Sequence, residues 1–479
     1  MAWAHEPATV PAVRPSISLR TIALLLCLVF AGLGCDEEPT PVDAGPPPYD
    51  AGPGDAGIPP EICRGDPAGT PPTIPDPGTP EPPPELDCGT PEIVDATALR
   101  RWPYLESATQ TSVRVAWTTS TSGGVGTVRF AADPAGPFTA VEATAELFDT
   151  ARTEMPADYV AYDATLSGLE PNTAYCYEIV EDGVVLARNL RFDTAWTGAE
   201  RPVRMLVLGD SGSGSADQMR VRDAFIGQAF DLFIHVGDMA YGSGRFDEFE
   251  ANFFEPYQAL MHRVPVFPAI GNHEYKTDSG QPYRDVYHTL ENIPRAEDRE
   301  LYYSFDYGNI HFISLDSNSE SLVPIYVDVN GRVTDDMFDW MVEDLASSEA
   351  DWNIVFTHHP FFSSSERGIR TLNVERFRSV LEQAGVDLIL AGHDHHYERS
   401  VPLRGGCTDV EPTGVTEIIA GGAGAGLRTV AFDRWHTAGI YNEDYSYLTL
   451  EVHGCRLRGQ ALNPSNEVVD TFELYGCDP

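Results

Sequence analysis

Val386-Asp387-Leu388-Ile389-Leu390-Ala391-Gly392-His393-Asp394-His395-His396-Tyr397-Glu398-Arg399 runs from an apolar stretch through a glycine into a histidine-rich turn. A short apolar run of this kind reads as a strand buried on both faces. The turn after such a strand lies at its carboxyl end, where open α/β sheets bind ligands. Four other runs repeat the arrangement. Val207-Leu208 leads into Gly209-Asp210-Ser211-Gly212, and Val236 into Gly237-Asp238-Met239-Ala240-Tyr241. Ile270 leads into Gly271-Asn272-His273-Glu274, and Phe356 into Thr357-His358-His359-Pro360.

Around these turns, apolar runs at Val203 to Leu208, Leu232 to Val236, Ile310 to Leu315, Asn353 to Phe356 and Val386 to Leu390 alternate with helical patterns. One helix is expected to start at Asn373, to place Val374, Phe377 and Leu381 on one face, and to stop at Gly385. A second, after Thr334, groups Phe338, Met341 and Leu345. Strands alternating with helices predict a largely α/β (α+β) domain over residues 200–479, with strands predominating after Val415. The strand ends together offer carboxylate, imidazole, amide and phenol oxygen. That mixture suits hard and borderline metals such as iron, zinc and manganese. His393 and His395 can point at different ions, and Asp238 can bridge a pair. Glycine precedes the first ligand in every turn except that of His358, as expected where a chain turns sharply and lets a cation approach.

Upstream the texture changes. Between about Leu99 and Thr194, short alternating runs such as Ser112-Val113-Arg114-Val115-Ala116-Trp117 and turns such as Gly123-Gly124 predict an antiparallel all-β sandwich over residues 96–197. Residues 36–95 hold eighteen prolines and fourteen acidic residues against one basic residue, Arg64. Such a stretch reads as a disordered tether. Residues 1–35 carry Arg14 and Arg20, an apolar run from Ile22 to Phe30, and Ala31-Gly32-Leu33-Gly34-Cys35, the plan of an export signal. The rest of the chain is therefore expected outside the cytoplasm.

Three resemblances sharpen these readings. Gly-Asp-x-Gly, Gly-Asp-x-x-Tyr, Gly-Asn-His-Glu, x-x-x-His-x-Pro and Gly-His-x-His-x-Tyr-Glu-Arg, in this order over about residues 200–460, resemble the purple acid phosphatase branch of the calcineurin-like metallophosphoesterases. Tyr302 to Gly308 resembles the family as well. The run Leu166 to Tyr177 resembles a fibronectin type III domain, whose first tyrosine, here Tyr175, forms a tyrosine corner. Cys35 after Gly34 is similar to the lipobox of bacterial lipoproteins, where the cysteine is lipidated, although Leu33 lies one place nearer the cysteine than usual.

The phosphatase resemblance implies a dinuclear centre. One metal would be held by Asp210, Asp238, Tyr241 and His395, the other by Asp238, Asn272, His358 and His393. It implies Fe(III) at the tyrosine and Fe, Zn or Mn beside it. The implied activity is hydrolysis of phosphate monoesters, of acid phosphatase type, by a metal-activated hydroxide. Phosphodiesters and phosphoanhydrides are the nearest alternatives. A surface adhesion protein with an inactive phosphatase fold is a further one, against which the complete ligand set argues. His273 would stabilise the transition state or protonate the leaving oxygen, and Asn272 would contact substrate. The chain departs from the plant pattern after His-x-Pro: Phe361-Phe362-Ser363-Ser364-Ser365-Glu366-Arg367 stands where a histidine pair is usual. Arg367 either holds a phosphate oxygen or, the preferred reading, is a solvated surface arginine.

A lone histidine at a strand end is more often structural than a ligand; seven ligand-type residues in motif order are not. His235, His288, His311, His436 and His453 have no motif and read as structural or surface residues, while His359 and His396 neighbour ligands. Gly421-Gly422-Ala423-Gly424-Ala425-Gly426 lacks the lysine and helix of a phosphate loop and reads as a loop beside the site. Ser211 and Ser213 lack a nucleophile-elbow pattern. Outside the signal, six cysteines allow up to three disulfides: Cys63 is expected to close a small loop with Cys88, and Cys455 to pair with Cys477. Finally, 31 Lys plus Arg against 73 Asp plus Glu give a formal net charge of −42. That excess disfavours nucleic acid and anionic lipid as partners, leaving a small phosphate ester as substrate and the N-terminal lipid as the sole membrane contact.

Overall fold

The computed structural model describes residues 86–479 except 121–122, 319–325, 328–332, 335, 369–378, 405–406, 409–413, 431–433 and 477–479. The expected signal, Cys35, Cys63, nearly all of the tether, Cys477 and the start of the helix expected at Asn373 lie outside the described residues.

The C-terminal half is built on two sheets whose apolar faces share one core. In the first, Val203–Leu208, Leu232–His235 and Val266–Pro268 run parallel, and Tyr447–His453, Arg456–Leu462 and Val468–Tyr475 extend the edge antiparallel. In the second, Ile310–Leu315, Trp352–Thr357, Leu388–Ala391 and Thr416–Ala420 run parallel, flanked by Tyr303–Tyr307, Tyr397–Ser400 and Thr437–Tyr441. Alternation along each strand explains the unbroken apolar runs. Met205 and Val207 face the shared core with Ile354, Phe356, Leu388 and Leu390. Their neighbours Leu206 and Leu208 pack outward with Val221 and Phe225 of the helix Ala216–Phe225. On the other sheet Val355 and Ile389 pack outward with Met341, Leu345 and Leu381. Both faces of both sheets are therefore buried, as parallel strands require.

The expected helix after Thr334 is Asp336–Ser347, and that containing Leu381 is described over Ser379–Gln383, ending before Gly385 at φ 76°. Strands predominate after Val415. One strand is shorter than expected: it closes at Pro268, and Ala269-Ile270 carries the chain to Gly271 as a loop held by the Ala269 amide on the His235 carbonyl.

The all-β half has two antiparallel sheets. Leu99–Glu106, Ser112–Thr119, Tyr159–Ser167 and Thr144–Phe148 form one. Glu92–Ile93, Val184–Asp193, Ala174–Glu181, Gly126–Ala131 and Thr139–Glu142 form the other. The Tyr175 hydroxyl accepts the Glu170 amide at 2.9 Å, the bond expected of a tyrosine corner. Three residues assigned to the tether by composition belong here instead. Glu92 and Ile93 pair with Arg188 and Ala187, and Cys88 is bonded to Cys176, not to Cys63. Cysteine spacing could not reveal that pairing, because it joins an extended arm to a strand 88 residues away. Cys455 is disulfide-bonded.

A parallel bridge between Glu106 and Val266 joins the sandwich to the first sheet of the C-terminal half, so ten strands form one continuous sheet. All of the predicted ligand turns lie at the carboxyl ends of the parallel strands or in the loops just after them.

Candidate metal centre

The turns that carry the predicted ligands approach each other closely. Gly237 has φ 93°, and Asp210, Asp238 and His393 sit in the left-handed region at φ 57°, 59° and 66°. Such conformations are unfavourable for residues with a Cβ and concentrate where the surrounding structure holds a functional group in place. The preceding glycines have a reason different from the expected one. A Cβ at Gly271 would lie 2.3 Å from the Asp238 amide nitrogen, and one at Gly392 would lie 2.6 Å from Asp210 Oδ2. Glycine lets one ligand turn press against another, before any cation is considered.

All seven predicted donors converge. Tyr241 donates its hydroxyl to Asp210 Oδ1 at 2.9 Å, and His395 Nε2 lies 3.2 Å from that hydroxyl and 3.4 Å from the same carboxylate oxygen. Beside them, Asn272 Oδ1 lies 2.8 Å from His393 Nδ1 and 3.1 Å from His358 Nε2, and the two ring nitrogens are 3.3 Å apart. Asp238 joins the groups: its Oδ2 is 3.4 Å from His358 Nε2, and its carboxylate, that of Asp210 and His358 together could hold an ion. Spacings near 3 Å between donor atoms are those of ligands around a common ion.

Hydrogen bonds behind the donors set their tautomers. His358 Nδ1 faces the Val236 carbonyl at 2.8 Å, and His395 Nδ1 faces the Gly426 carbonyl at 2.7 Å. A carbonyl only accepts, so each Nδ1 carries the proton and each Nε2 presents a lone pair to the centre. Two buried carboxylates facing such lone pairs call for positive charge. In the protein alone protons answer: burial pushes His358 down, but Asp238 and Asp210 lift it to about 9. Burial would raise Asp238, yet His358 and His273 hold its carboxyl far below the usual range. Burial, Asp210 and Asp238 keep the Tyr241 phenol well above its ordinary value. The donor set thus fits two cations, one beside Asp210, Tyr241 and His395, the other beside Asn272, His358 and His393, with Asp238 between them.

Glu274 is the residue whose role the sequence hid. Its buried carboxylate accepts four backbone amides: Asp238 at 2.9 Å and Gly271 at 2.8 Å on Oε2, Met239 at 2.8 Å and Ala240 at 3.1 Å on Oε1. It ties the Asp238 turn to the Asn272 turn. Burial first, then the Asp238 charge, push it up to about 7, against the His358 charge and the Asp238 and Ala240 amides. The only available signal was its place in Gly-Asn-His-Glu.

His273 lies at the mouth of the centre. Its Nδ1 is 2.8 Å from the Gly242 carbonyl, its Nε2 3.9 Å from Asp238 Oδ2, and its ring 4.2 Å from that of Tyr241. Burial lowers its basicity. Arg367 is exposed, as the preferred reading has it, and stands at the edge of the site: Nη1 lies against His393 Nε2, and Nε is 3.8 Å from Asp394 Oδ1. The His359 ring lies 4.2 Å from that of His393, tilted by 54°, with Nδ1 2.9 Å from Ser317 Oγ. His235 is buried against Ser211 Oγ at 2.8 Å, which makes both structural. The glycine loop lies beside the site, where Gly426 holds His395 and Gly424 accepts the Ser213 and Ser215 hydroxyls.

Comparison with known proteins agrees with this geometry. Residues 203–397 match the calcineurin-like phosphoesterase family, and residues 103–194 match the purple acid phosphatase N-terminal domain. An uncharacterized protein of Mycobacterium tuberculosis is 30% identical over 282 residues, 50% of this chain and 51% of that protein. A probable inactive purple acid phosphatase 27 of Arabidopsis thaliana is 22% identical over 362 residues, 66% of this chain and 57% of that one. The chain spans about half the length of the curated relatives it matches. The solved purple acid phosphatase PPD1 of yellow lupin (Lupinus luteus) seeds shares the fold, with a TM-score of 0.67 at 18% identity over 81% of this chain and 75% of that one. Two family matches in this order, on a shared fold and around seven converging donors, make the chain a purple acid phosphatase-like member of the calcineurin-like metallophosphoesterases.

Proposed function

We propose that this protein hydrolyses phosphate monoesters with the help of two bound metal ions. The observation that carries the proposal is the convergence of Asp210, Asp238, Tyr241, Asn272, His358, His393 and His395, with tautomers set for coordination. A protein whose centre had decayed into a binding module would have no use for the strained ligand turns, which supports catalysis over adhesion.

Bound cations would supply Lewis acidity and lower the pKa of a shared water. Tyr241 favours Fe(III) for the first ion, since its phenol keeps its proton against Asp210 and Asp238 unless a strongly polarising cation replaces it. The remaining chemistry belongs to the chain. Asp238 holds its position through the His273 amide on Oδ1 at 2.9 Å. His273, fixed by Gly242, presents Nε2 to an oxygen of the bound ester, and Arg367 brings a guanidinium to a phosphoryl oxygen beside His393. Water adds to phosphorus, the bond from phosphorus to the ester oxygen breaks, and the leaving oxygen takes a proton, giving an alcohol and phosphate.

The Cys88–Cys176 disulfide suits an oxidising compartment. We read the protein as an exported bacterial enzyme, anchored through Cys35, with a fibronectin-like N-terminal sandwich and a small phosphate ester as its substrate. Metal analysis with phosphate release from p-nitrophenyl phosphate tests the activity; protein that binds no metal and releases nothing refutes it. Loss of a visible absorption band in Tyr241→Phe tests the iron assignment. Full activity in Asp238→Asn would refute the bridging role.

A further inference from the structure

The chain contains a single lysine. All but one of its 31 basic residues are arginines, and the exception, Lys276, stands four residues after Asn272. Its Nζ lies 3.1 Å from His273 Nδ1 and 3.3 Å from Nε2, and it donates to the Gly242 carbonyl at 3.3 Å. Nearly equal distances to both ring nitrogens place the ammonium alongside the imidazole, not at the end of one lone pair. Lys276 is exposed, on the short turn Glu274–Lys276.

Its charge is uncommitted. The arginines of this acidic chain close on carboxylates, as Arg101 does on Glu250, Arg152 on Asp285, Arg220 on Asp444 and Arg245 on Asp247. Among the described residues, Lys276 pairs with no carboxylate, although the chain carries 73 acidic residues. A compact ammonium on a flexible stem, held by one long carbonyl bond, can swing toward an arriving anion. His273 separates it from Asp238, whose Oδ2 is 3.9 Å from Nε2. A phosphoryl oxygen touching His273 Nε2 would therefore lie between the centre and the ammonium, and the ammonium would meet whatever the leaving group carries.

We propose that Lys276 is a specificity-determining contact for a second anionic group on the substrate, so that the preferred substrates are phosphate esters or anhydrides whose leaving group is itself an anion. This rests on the phosphoester-hydrolase reading above. In a chain of net charge −42 such substrates are otherwise repelled. One unpaired cation beside the centre offsets that at the point where the second charge sits.

The test compares the full metal-loaded chain with Lys276→Gln and Lys276→Arg on pyrophosphate, phosphoglycolate and phenyl phosphate. The expected result is that Lys276→Gln lowers kcat/KM for the two substrates that carry a second anionic group at least tenfold relative to phenyl phosphate, chiefly through KM, and that Lys276→Arg restores part of the ratio. Pyrophosphate and phosphoglycolate separate a phosphoryl from a carboxylate as the group recognised. An unchanged ratio for both overturns the proposal. A second readout needs no turnover. With one lysine, Lys276 and the chain's amino terminus are the amines that acetic anhydride acylates; hydroxylamine removes the esters formed on tyrosine, and peptide mapping separates the two amides. Pyrophosphate should slow labelling of Lys276 several-fold more than phenyl phosphate does, and equal labelling rates overturn the proposal. Protection without any hydrolysis would refute the hydrolase reading and leave the Lys276 contact standing.

Discussion

The Glu274 carboxylate shows how much of this centre depends on a residue that touches no ligand side chain. With four amide donors on two oxygens, it fixes the Asp238 turn against the Gly271 turn, and so sets the spacing between the two halves of the donor set. Glu274→Gln replaces one accepting oxygen with an NH2 that faces amides which also donate. Buried donors are left unpaired, at a cost of about 1–3 kcal/mol each. We expect metal affinity to fall roughly 10–100-fold, as for other groups that orient ligands, and thermal stability to drop with it. Metal titration and thermal unfolding of the variant check this; wild-type metal affinity would refute it. His273 makes the opposite case, since it faces the substrate and is not a donor in either cluster. His273→Ala should lower kcat by about 10²–10⁴ while metal content stays at the wild-type level, which elemental analysis alongside kinetics would establish. The ligands were legible in the sequence because each lies in a turn that comes after a buried strand, and every such turn except that of His358 opens on a glycine. Glu274 was not, because three of its four partners are backbone amides from a turn more than thirty residues away, and a backbone amide leaves no mark on residue type. The same limit hid the Arg367 contact, since nothing in Ser363-Ser364-Ser365-Glu366-Arg367 says which way that loop folds.

Among the elements, the edge of the second sheet is fastened by a histidine that has no motif. His311, on Ile310–Leu315, is buried with Nδ1 2.7 Å from Asp306 Oδ1 on the adjacent strand and Nε2 3.0 Å from Asp344 Oδ2 on the helix Asp336–Ser347. Burial opposes the charged form, but hydrogen bonds to Asp306 and Asp344 outweigh it and lift the group to about 9. A folded-state value above the unfolded one, about 6.5, means that the clamp is fully in force below pH 6.5 and is lost as pH rises through 9. Asp306 is largely exposed, so solvent screening leaves about 1–2 kcal/mol of the effect. We expect His311→Ala to be less stable than wild type by roughly that amount near pH 6, with the gap closing by pH 9.5. Denaturant unfolding at the two pH values decides it, and a gap that stays constant with pH would show that His311 acts by packing alone. The helix itself was legible, because Phe338, Met341 and Leu345 repeat at helical spacing. The clamp was not, since its three members lie on three elements whose pairing only the fold reveals.

At the scale of the whole molecule, the sandwich and the C-terminal half are packed as one body. A single core runs through both, taking in Leu105, Val113 and Tyr177 of the sandwich with Val203, Phe267 and Tyr307 of the catalytic half. The composition change near Arg201 suggests two domains in sequence and conceals a continuous sheet in space, because one bridge, Glu106 to Val266, is too local to show in any pattern. The contact is reinforced by Arg101, which is 5% exposed. It pairs with Glu250, stands 3.7 Å over the Phe254 ring and reaches the Tyr104 hydroxyl at 3.2 Å. Glu250 and Phe254 belong to the helical segment that comes after the Tyr241 turn, and Asn252 in the same segment donates to the Tyr241 carbonyl at 2.9 Å. The sandwich therefore braces a metal-ligand turn. Removing the guanidinium in Arg101→Ala leaves a partly buried carboxylate without its partner, which costs about 3 kcal/mol. Calorimetry of the wild-type protein should show one cooperative transition over both halves. Arg101→Ala should lower its midpoint by several degrees and weaken metal binding at the same time, because the lost contact is shared by domain packing and the Tyr241 turn. Two separate transitions in the wild type, or an Arg101→Ala protein that loses stability with metal affinity intact, would show that the sandwich is a passenger on the catalytic domain.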